Sequence, residues 1–346
     1  MEFMKKQTKK RSLFLILITL MITLVSCLSG CVNPGDLPVT IQGSNQKFAS
    51  IRQAITNAVD GDTILIQTGI YKESIRVNRS ITLIGAGANK TIIVGDKTDD
   101  VITIVSENVT IKNCGLRFAG NQTYPDVDAG IDIQSDHVVI DSVSISDCNY
   151  GTYMYGRSNH TFFNLKIINS TQRGIYMNSG TNISITDTTI ENSSFGVYWI
   201  RISDSVFDSN QLIDNEEAGL YLGSESEFNQ IEDNSFTDNN YGLHIKASTD
   251  NNITRNLFLS NIRGIYVCCG GRNNLIYNNV FLSNIEHAYG YQVNRFNSST
   301  MGNYWDDYTG VDENNDGIGD TPYNATYSDV YGVSNIDYLP LMNPSS

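Results

Sequence analysis

Between Gly130 and Gly271 the chain repeats a pattern of one glycine followed by alternating apolar and polar residues. After each glycine the first and third residues are apolar in all units but one, where Thr152 stands first. This two-residue period is that of a β-strand. Successive glycines are 21 to 23 residues apart, a fixed period that predicts a solenoid in which each unit buries its apolar face against its neighbours. The repeated glycines are Gly130, Gly151, Gly174, Gly196, Gly219, Gly242 and Gly264.

Three series of polar residues keep step with the glycines. Asparagine and aspartate tolerate left-handed backbone conformations and bond their own turns, so each series predicts a corner. Three corners in each repeat leave room for three short strands, and stacked corner amides can form hydrogen-bonded ladders. The series are Asp136, Asn159, Asn182, Asp204, Glu227, Asp250 and Asn273; Asp141, Asn164, Asp187, Asn210, Asn234, Asn256 and Asn279; and Asp147, Asn169, Asn192, Asn215, Asp238, Asn261 and Asn284.

The pattern predicts an all-β fold, a parallel β-helix of roughly ten coils with three strands per coil, over residues 47–300. An antiparallel sandwich would need a hairpin every 8–12 residues and would not keep three series in step. Between Phe48 and Val59 the apolar residues instead have helical spacing, with Ser50 as the candidate N-cap. We expect this short helix to cover the open apolar end of the solenoid. Residues 301–346 are predicted to form a C-terminal cap.

The amino terminus has the pattern of an export signal. Five basic residues precede the largely apolar run Leu13–Val25, which is short for a membrane span, so residues 1–30 are predicted to be a secretory signal. Leu28–Cys31 resembles a lipobox, which predicts lipidation of Cys31 as the membrane anchor. An ordinary cleaved signal or an uncleaved anchor is the alternative. Residues 31–46 read as a tether. The numerous Asn-x-Ser/Thr sequons fit export and glycosylation.

The charge of the chain excludes one class of partner. There are 23 basic and 37 acidic residues, and without residues 1–30 the balance is 18 to 36, a net charge of −18. That balance disfavours nucleic acid and anionic lipid as partners and favours cation binding. Association with a membrane is therefore expected through the lipid anchor only.

Several segments resemble a known family. Gly61–Ile75 and Ser80–Gly87 resemble the entry to pectin-lyase-like right-handed β-helices, and the later coils resemble NosD-like parallel β-helix repeats. Gly302–Tyr308 and Asp316–Tyr323 are similar to the carboxyl end of NosD-like surface proteins. The resemblance implies a right-handed coil. Its members include copper-centre maturation factors, carbohydrate-active enzymes and surface proteins.

One outward column of the repeat is aromatic. If the first and third residues after each glycine point inward, the second points outward, and it is tyrosine in most coils. Contiguous exposed aromatics usually mark an interaction surface, so this stripe predicts binding of a polysaccharide or cell-envelope glycan. The alternative is that the rings stack on one another and only stabilise the coil. The predicted ligand-binding residues are Tyr153, Tyr176, Tyr198, Tyr221 and Tyr266.

A catalytic role has fewer candidates. His244 interrupts the stripe beside Lys246, and together they could abstract a proton in a lyase or epimerase. Acidic partners are scarce in this column, since Asp132 lies five coils from His244. No Asp-Pro-His-Asp or Gly-His-Gly motif is present. Catalysis therefore ranks behind binding.

Two metal sites are candidates. Asp312, Asn314, Asp316 and Asp320 place oxygens at positions one, three, five and nine around Gly317, as calcium loops do, but position twelve is not glutamate. His137 and His160 are 23 residues apart, which would put them at one step on adjacent coils and allow a copper site, although two solvated corner side chains are the simpler reading. Calcium is thus the favoured cofactor.

The four cysteines after Cys31 show no Cys-x-x-Cys spacing, so no zinc ribbon or thioredoxin motif is indicated. Two disulfides are conceivable, one between Cys114 and Cys148 and one between Cys268 and Cys269. Cys268 and Cys269 could alternatively form a soft metal site. Thiols without function are the simpler interpretation.

The sequence as a whole indicates a monomeric, lipid-anchored, extracytoplasmic β-helix that binds glycans. A lyase- or epimerase-type enzyme and a copper accessory protein are the alternatives.

Overall fold

The computed structural model describes residues 37–44, 46–123, 126–328 and 333–344. The predicted signal peptide, the lipidation site Cys31 and residues 31–36 and 45 of the predicted tether lie outside the described residues. In the part of the chain that the structure describes, no helix has the length and apolar character needed to cross a membrane.

The fold is the predicted right-handed parallel β-helix of about ten coils, with one short helix among the described residues. Each coil contributes one strand to each of three parallel sheets, because the polar corners interrupt the apolar stretches at three points per repeat. The first sheet contains Thr63–Ile66, Thr82–Gly85, Thr110–Lys112, Val139–Asp141, His160–Phe163, Ile183–Thr186, Val206–Asp208, Gln230–Glu232, Asn252–Thr254 and Leu275–Tyr277, with Val39–Ile41 and Lys47–Phe48 added antiparallel.

The other two sheets run alongside the first. The second sheet contains Gly69–Lys72, Thr91–Val94, Gly115–Arg117, Ser144–Ser146, Lys166–Ile168, Thr189–Glu191, Gln211–Ile213, Ser235–Thr237, Leu257–Leu259, Val280–Leu282 and Tyr304–Trp305. The third, which we call the tyrosine sheet, contains Ile75–Val77, Ile102–Ile104, Ala129–Ile133, Tyr150–Tyr155, Arg173–Thr181, Phe195–Ser203, Ala218–Gly223, Tyr241–Lys246, Arg263–Cys268 and Glu286–Gly290. An antiparallel hairpin of Tyr323–Ser328 and Val333–Asp337 follows the last coil.

Like packs on like inside the coil. Phe236, Phe258 and Phe281 stack at ring-centroid distances of 5.0 and 4.9 Å, and Trp305 continues the stack at 4.3 Å. The repeat spacing places these side chains one strand apart in register, so each ring buries its face against the next. The core is therefore a column of layers along the solenoid axis.

Amide ladders are present in the later coils, and every member is buried except Asn284, which is partly buried. Within each ladder an asparagine Oδ1 accepts the backbone N–H and the side-chain Nδ2 of the asparagine one coil earlier, as Asn256 does from Asn234 at 3.0 and 2.9 Å. One ladder falls on its predicted polar series, one departs from its series only at Asn239, where Asp238 was predicted, and the third lies one or two residues beyond its series. The ladders are Asn210, Asn234, Asn256, Asn279 and Asn303; Asn215, Asn239, Asn261 and Asn284; and Asn229, Asn251, Asn274 and Asn294.

The first coil is covered as predicted, with one difference. The helix Ile51–Asn57 begins after Ser50, whose side chain accepts a hydrogen bond from Gln53 N–H, and it buries Ile51 and Ile55. The strand Val39–Ile41, however, falls inside the predicted tether. Val39 and Ile41 alternate with polar residues and are buried, so this stretch completes the covering of the first coil.

The carboxyl end extends the coil slightly beyond the predicted boundary at residue 300. Tyr304 and Trp305 pair with the second sheet, and Asn303 occupies the next position of an amide ladder. The buried carboxylate of Asp337 then accepts hydrogen bonds from Asn303 N–H and from Trp305 Nε1 at 2.7 and 2.9 Å. These bonds attach the C-terminal hairpin to the last coil.

Candidate functional site

The tyrosine sheet carries the predicted aromatic column. Its residues are direct register partners along seven adjacent strands, in the order Tyr153, Tyr176, Tyr198, Tyr221, His244, Tyr266 and Tyr289. Their neighbours on either side in sequence are buried in the core, so the column lies on the outer wall. The alignment that the repeat spacing predicted is thus present, and it includes Tyr289, which the sequence analysis did not name.

The rings of this column are stacked against each other. Tyr153 and Tyr176 lie 5.0 Å apart with their planes 6° from parallel, and Tyr198 and Tyr221 lie 4.2 Å apart at the same angle. The guanidinium of Arg173 sits 4.3 Å from the Tyr198 ring centroid. Interior rings therefore present edges and hydroxyl groups to solvent instead of open faces, and Tyr221 is only 8% exposed.

The amino-terminal end of the column is different. The register partner of Tyr153 on the preceding strand is Asp132, so within the described residues no second ring stacks on that side. The Tyr153 side chain here forms part of the wall of an open cleft of about 660 Å³. The cleft is lined by Thr98, Asp99, Asp100, Gln122, Asp126, Val127, Asp128, Asp132, Ile133, Gln134, Tyr153, Tyr155 and Arg157.

Carboxylates dominate this cleft. Carboxylate oxygens of Asp99, Asp100 and Asp128 lie within 4.8 Å of one another. Asp100 is held by Ala129 N–H and Thr103 Oγ1, at 2.8 and 2.9 Å. The coil backbone and its hydroxyl thus fix one member of the group in place.

The other carboxylates are also held by neighbouring residues. Asp128 accepts a hydrogen bond from Gln122 N–H at 2.8 Å, and Asp132 accepts one from the Gln134 amide. Arg157 is the one basic residue among those that line the cleft, and its Nε is buried without a hydrogen-bond partner. The site is therefore preorganised and strongly acidic.

Burial changes the acidity of these groups. It raises the pKa of Asp100 to about 7, and the neighbouring carboxylate of Asp132 adds to the shift, while the bond from Ala129 N–H opposes it. Burial also raises the pKa of Asp128 and of Asp132. A cleft that holds a carboxyl group titrating near neutral pH has the acid–base chemistry that the sequence analysis did not find in the aromatic column.

The predicted catalytic pair lies elsewhere. His244 is four strands from Tyr153, about 19 Å at the usual strand spacing, so His244 and Lys246 are not part of the cleft. His244 is packed edge-on against Tyr221, and its Nε2 lies 3.4 Å from Cys268 Sγ. Burial, aided by the Lys246 charge, lowers the pKa of His244 to about 4, so its imidazole is neutral at pH 7.

The predicted copper pair is not brought together. His160 precedes Thr161, which pairs with Val139, so His160 is level with Val138 and not with His137. His160 is buried and accepts Val138 N–H at Nδ1, while His137 is an exposed corner residue with φ of 58°. The expectation that both occupy one ladder step was wrong, because a spacing of 23 residues crosses a coil that here spans 22.

The acidic loop forms a turn around Gly317, which has φ of +86°. Asp312 accepts hydrogen bonds from Asp316 N–H and Gly317 N–H, and Asp320 accepts one from Glu313 N–H. Asn314 Oδ1 also accepts from Asp316 N–H. The four predicted ligands thus share one turn, and calcium binding by them remains a prediction.

A further histidine lies at the C-terminal cap. Nε2 of His287 lies 2.8 Å from Asp306 Oδ1 and 3.4 Å from Asp307 Oδ1. The Oδ1 of Asn284 accepts a hydrogen bond from the Asn261 backbone N–H. This bond directs Nδ2 of Asn284 towards Nδ1 of His287, which lies 3.3 Å away. Nδ1 is then the acceptor and Nε2 carries the proton, so this cluster is explained as a hydrogen bond that fastens the cap.

The described cysteines are all free thiols.

Comparison with known proteins agrees with this architecture. Residues 129–281 match the family described as right handed beta helix region. A segment of 100 residues is 34% identical to each of two curated proteins named probable ABC transporter binding protein NosD, from Pseudomonas aeruginosa and Stutzerimonas stutzeri. The chain is thus similar to right-handed β-helix proteins over residues 129–281 and to NosD proteins over the matched segment. The matched segment is 28% of this chain and spans only 18% of the length of each relative.

Solved β-helices resemble this protein in fold. A structure of XylC in complex with xylose has a TM-score of 0.59 at 15% identity, covering 77% of this chain and 70% of that one. The A-module of the mannuronan C-5 epimerase AlgE6 from Azotobacter vinelandii has a TM-score of 0.51 at 12% identity, covering 70% of this chain and 91% of that module. The lacto-N-biosidase from Eubacterium ramulus has a TM-score of 0.52 at 12% identity, covering 74% of this chain and 62% of that one. At these identities the likeness shows the fold alone.

The aspartates of the cleft were missed at the sequence level. Asp99 and Asp100 immediately precede Val101, and Asp126 and Asp128 lie in the long insertion after Asn121, so these four acids fall outside the glycine repeat, whereas Asp132 belongs to the Gly130 unit. The signal available was the insertion itself, because long loops on a regular solenoid carry binding sites.

Proposed function

We propose that this β-helix protein is an extracytoplasmic glycan-binding protein whose binding site is the cleft at the amino-terminal end of the tyrosine column. The observation that carries the proposal is the Tyr153 ring, which stacks on Tyr176 on one side, has Asp132 as its register partner on the other, and lines the cleft. Sugar rings pack their C–H groups on open aromatic faces, and this face is the one that the column leaves uncovered.

The polar lining supports the same ligand class. The hydroxyl of Tyr155, which is 58% exposed, and the carboxylates of Asp128 and Asp132 surround the Tyr153 ring with hydrogen-bonding groups. A few convergent polar groups around an apolar platform are what a carbohydrate needs for orientation. The stacked interior of the column then offers a row of hydroxyl groups along which a longer chain could continue.

Export and anchoring belong to the same proposal. An extracellular glycan is accessible only to an exported protein, which fits the predicted signal in residues 1–30 and lipidation of Cys31. Mass spectrometry of the protein isolated from membranes should find a lipid-modified Cys31 as the first residue. A monomer that bears one cleft is expected.

The test compares the two ends of the column. Tyr153→Ala removes the platform, and Tyr289→Ala removes the same side chain at the opposite end of the column, which does not line this cleft. We expect Tyr153→Ala to weaken retention on the glycans that the native protein binds by at least about tenfold, and Tyr289→Ala to leave it nearly unchanged. Circular dichroism and thermal unfolding confirm that both variants fold. Equal effects of the two substitutions would remove the basis of the proposal.

A second candidate is an enzyme that acts on the glycan in the same cleft. The observation that favours it is Asp100, whose burial raises its pKa to about 7 beside the carboxylate of Asp132. A carboxyl group that titrates near neutral pH beside another carboxyl group is the arrangement used for general acid–base catalysis on sugars. Release of oligosaccharide or an altered sugar from a bound glycan, lost in Asp100→Asn while binding persists, would establish the enzyme. Retention of that activity in Asp100→Asn would exclude this role.

A further inference from the structure

We propose that the cleft selects uncharged glycans and rejects glycans that carry carboxylates, so that polyuronates are not its ligands; this rests on the proposed function. The charges around the Tyr153 platform favour this selectivity. Five aspartates line the cleft, against one arginine, among the described residues. The aspartates are Asp99, Asp100, Asp126, Asp128 and Asp132.

The placement of these charges makes the rejection local. Asp132 is the register partner of Tyr153, so its carboxylate lies next to the ring on which a sugar would pack. A uronate on that ring would bring a second carboxylate within a few ångströms of Asp132 in a partly buried site, where charges are weakly screened. A hydroxyl group in the same place donates a hydrogen bond to Asp132 instead.

Neutralising cations are few on this side of the solenoid. Arg157 lines the cleft as its one arginine, and Arg76 occupies the same column two strands before Asp132, with Thr103 between them. The basic residues farther along, Arg173 and Arg263, lie over the stacked tyrosines, and Arg263 is paired with Glu286 at 2.6 Å. None of these provides the bidentate arginine clamp that recognises a carboxylate.

The expected ligand is therefore a hydroxyl-rich, uncharged chain. Its sugar face packs on Tyr153, and its hydroxyl groups donate to the aspartates that line the wall. Asp128 and Asp132 are fixed by Gln122 and Gln134 as acceptors, so they remain in place to receive those hydrogen bonds. The aspartates thus act as positive determinants for hydroxyl groups and as negative determinants for carboxylates.

The experiment measures affinity for two sets of oligosaccharides of equal length. Isothermal titration of the native protein with neutral hexasaccharides of β-1,4-linked xylose and glucose is compared with titration of hexamers of galacturonate and mannuronate. We expect binding of at least one neutral hexamer, and at least about tenfold weaker binding of both uronate hexamers at low salt. Added salt should narrow the difference.

Two substitutions separate local from overall charge. Asp132→Asn removes one charge beside the platform with little change of shape and should strengthen uronate binding by about tenfold. Asp250→Asn makes the same charge change at an exposed corner several coils away and should have little effect. Uronate binding as tight as neutral binding in the native protein would overturn the selectivity but leave the glycan site standing. Absence of binding to every oligosaccharide, including those on a broad glycan array, would instead overturn the proposed function.

Discussion

Replacing Asn256 with alanine tests whether the buried amide ladders hold the coils together. The Asn256 side chain makes five hydrogen bonds. Its Nδ2 donates to Ile231 O, Thr254 O and Asn279 Oδ1, at 2.8 to 3.0 Å. Its Oδ1 accepts from the backbone and side-chain nitrogens of Asn234. All of this is out of reach of water, since Asn256 is 1% exposed.

The magnitude follows from what alanine leaves behind. The Asn234 backbone N–H loses its acceptor, and an unsatisfied buried donor costs about 1–3 kcal/mol, whereas Asn234 Nδ2 keeps its bonds to Phe207 O and Glu232 O. The carbonyl groups of Ile231 and Thr254 lose a donor, with a smaller penalty, because carbonyls keep a second lone pair. We therefore expect Asn256→Ala to lower the free energy of unfolding by about 2–4 kcal/mol.

Urea unfolding followed by tryptophan fluorescence measures this loss. The matched control is Asn252→Ala on the strand that precedes Asn256, because Asn252 Nδ2 makes one side-chain bond at the surface, to Gln230. That variant should lose less than about 1 kcal/mol. Hydrogen exchange adds a local readout, since the Asn234 amide should lose protection only in Asn256→Ala. If both variants unfolded at the same urea concentration with native slopes, the ladder would not stabilise the coil and the reasoning would fail.

Three further predictions concern charge. The pKa of Asp100 is about 7 in the folded protein, whereas an unfolded aspartate titrates near 4. Folding therefore takes up a proton, and the free energy of unfolding falls as the pH rises between these two values. In Asp100→Asn the unfolding temperature should depend less on pH across that window, and an unchanged dependence would contradict the raised pKa. Arg173→Met removes the cation over the Tyr198 ring and the 2.8 Å hydrogen bond to the Tyr150 hydroxyl. Thermal unfolding should then show a free energy of unfolding that is lower by about 1–2 kcal/mol. An unchanged free energy of unfolding would mean that the rings stack equally well without the arginine. Calcium should raise the unfolding temperature of the native protein but not of Asp312→Ala, and calorimetry that detects no heat of calcium binding would rule out the loop as a site.

The coil could be predicted because its period is written in the sequence many times over. The glycines lie where an added Cβ would meet the backbone of the next coil, as at Gly174, where it would come 2.5 Å from the Gly196 carbonyl oxygen. The same packing constraint therefore repeats at every unit. The alternation around each glycine then fixes which side chains point inward, which is why the tyrosine column was predicted correctly.

The features that the sequence did not reveal depend on small differences in coil length and on coils that depart from the repeat. A one-residue difference in coil length separates His137 from His160, and spacing alone does not resolve it. The cleft depends on the insertion that ends at Asp128, whose path no repeat specifies. The faces of Tyr176 and Tyr198 are covered because their side-chain torsions bring the rings parallel at 5.7 Å, a choice that the pattern of residue types leaves open.

The carboxylate of Asp337 has a consequence for how far the solenoid can grow. Each buried asparagine both accepts hydrogen bonds from the coil before it and donates to the coil after it, so an uncovered terminal row would offer another polypeptide a template for edge-to-edge pairing. Asp337 receives the last of these bonds and has no amide hydrogen in its side chain to pass on. It therefore ends this ladder, and we expect it to disfavour the edge-to-edge pairing that would build fibres.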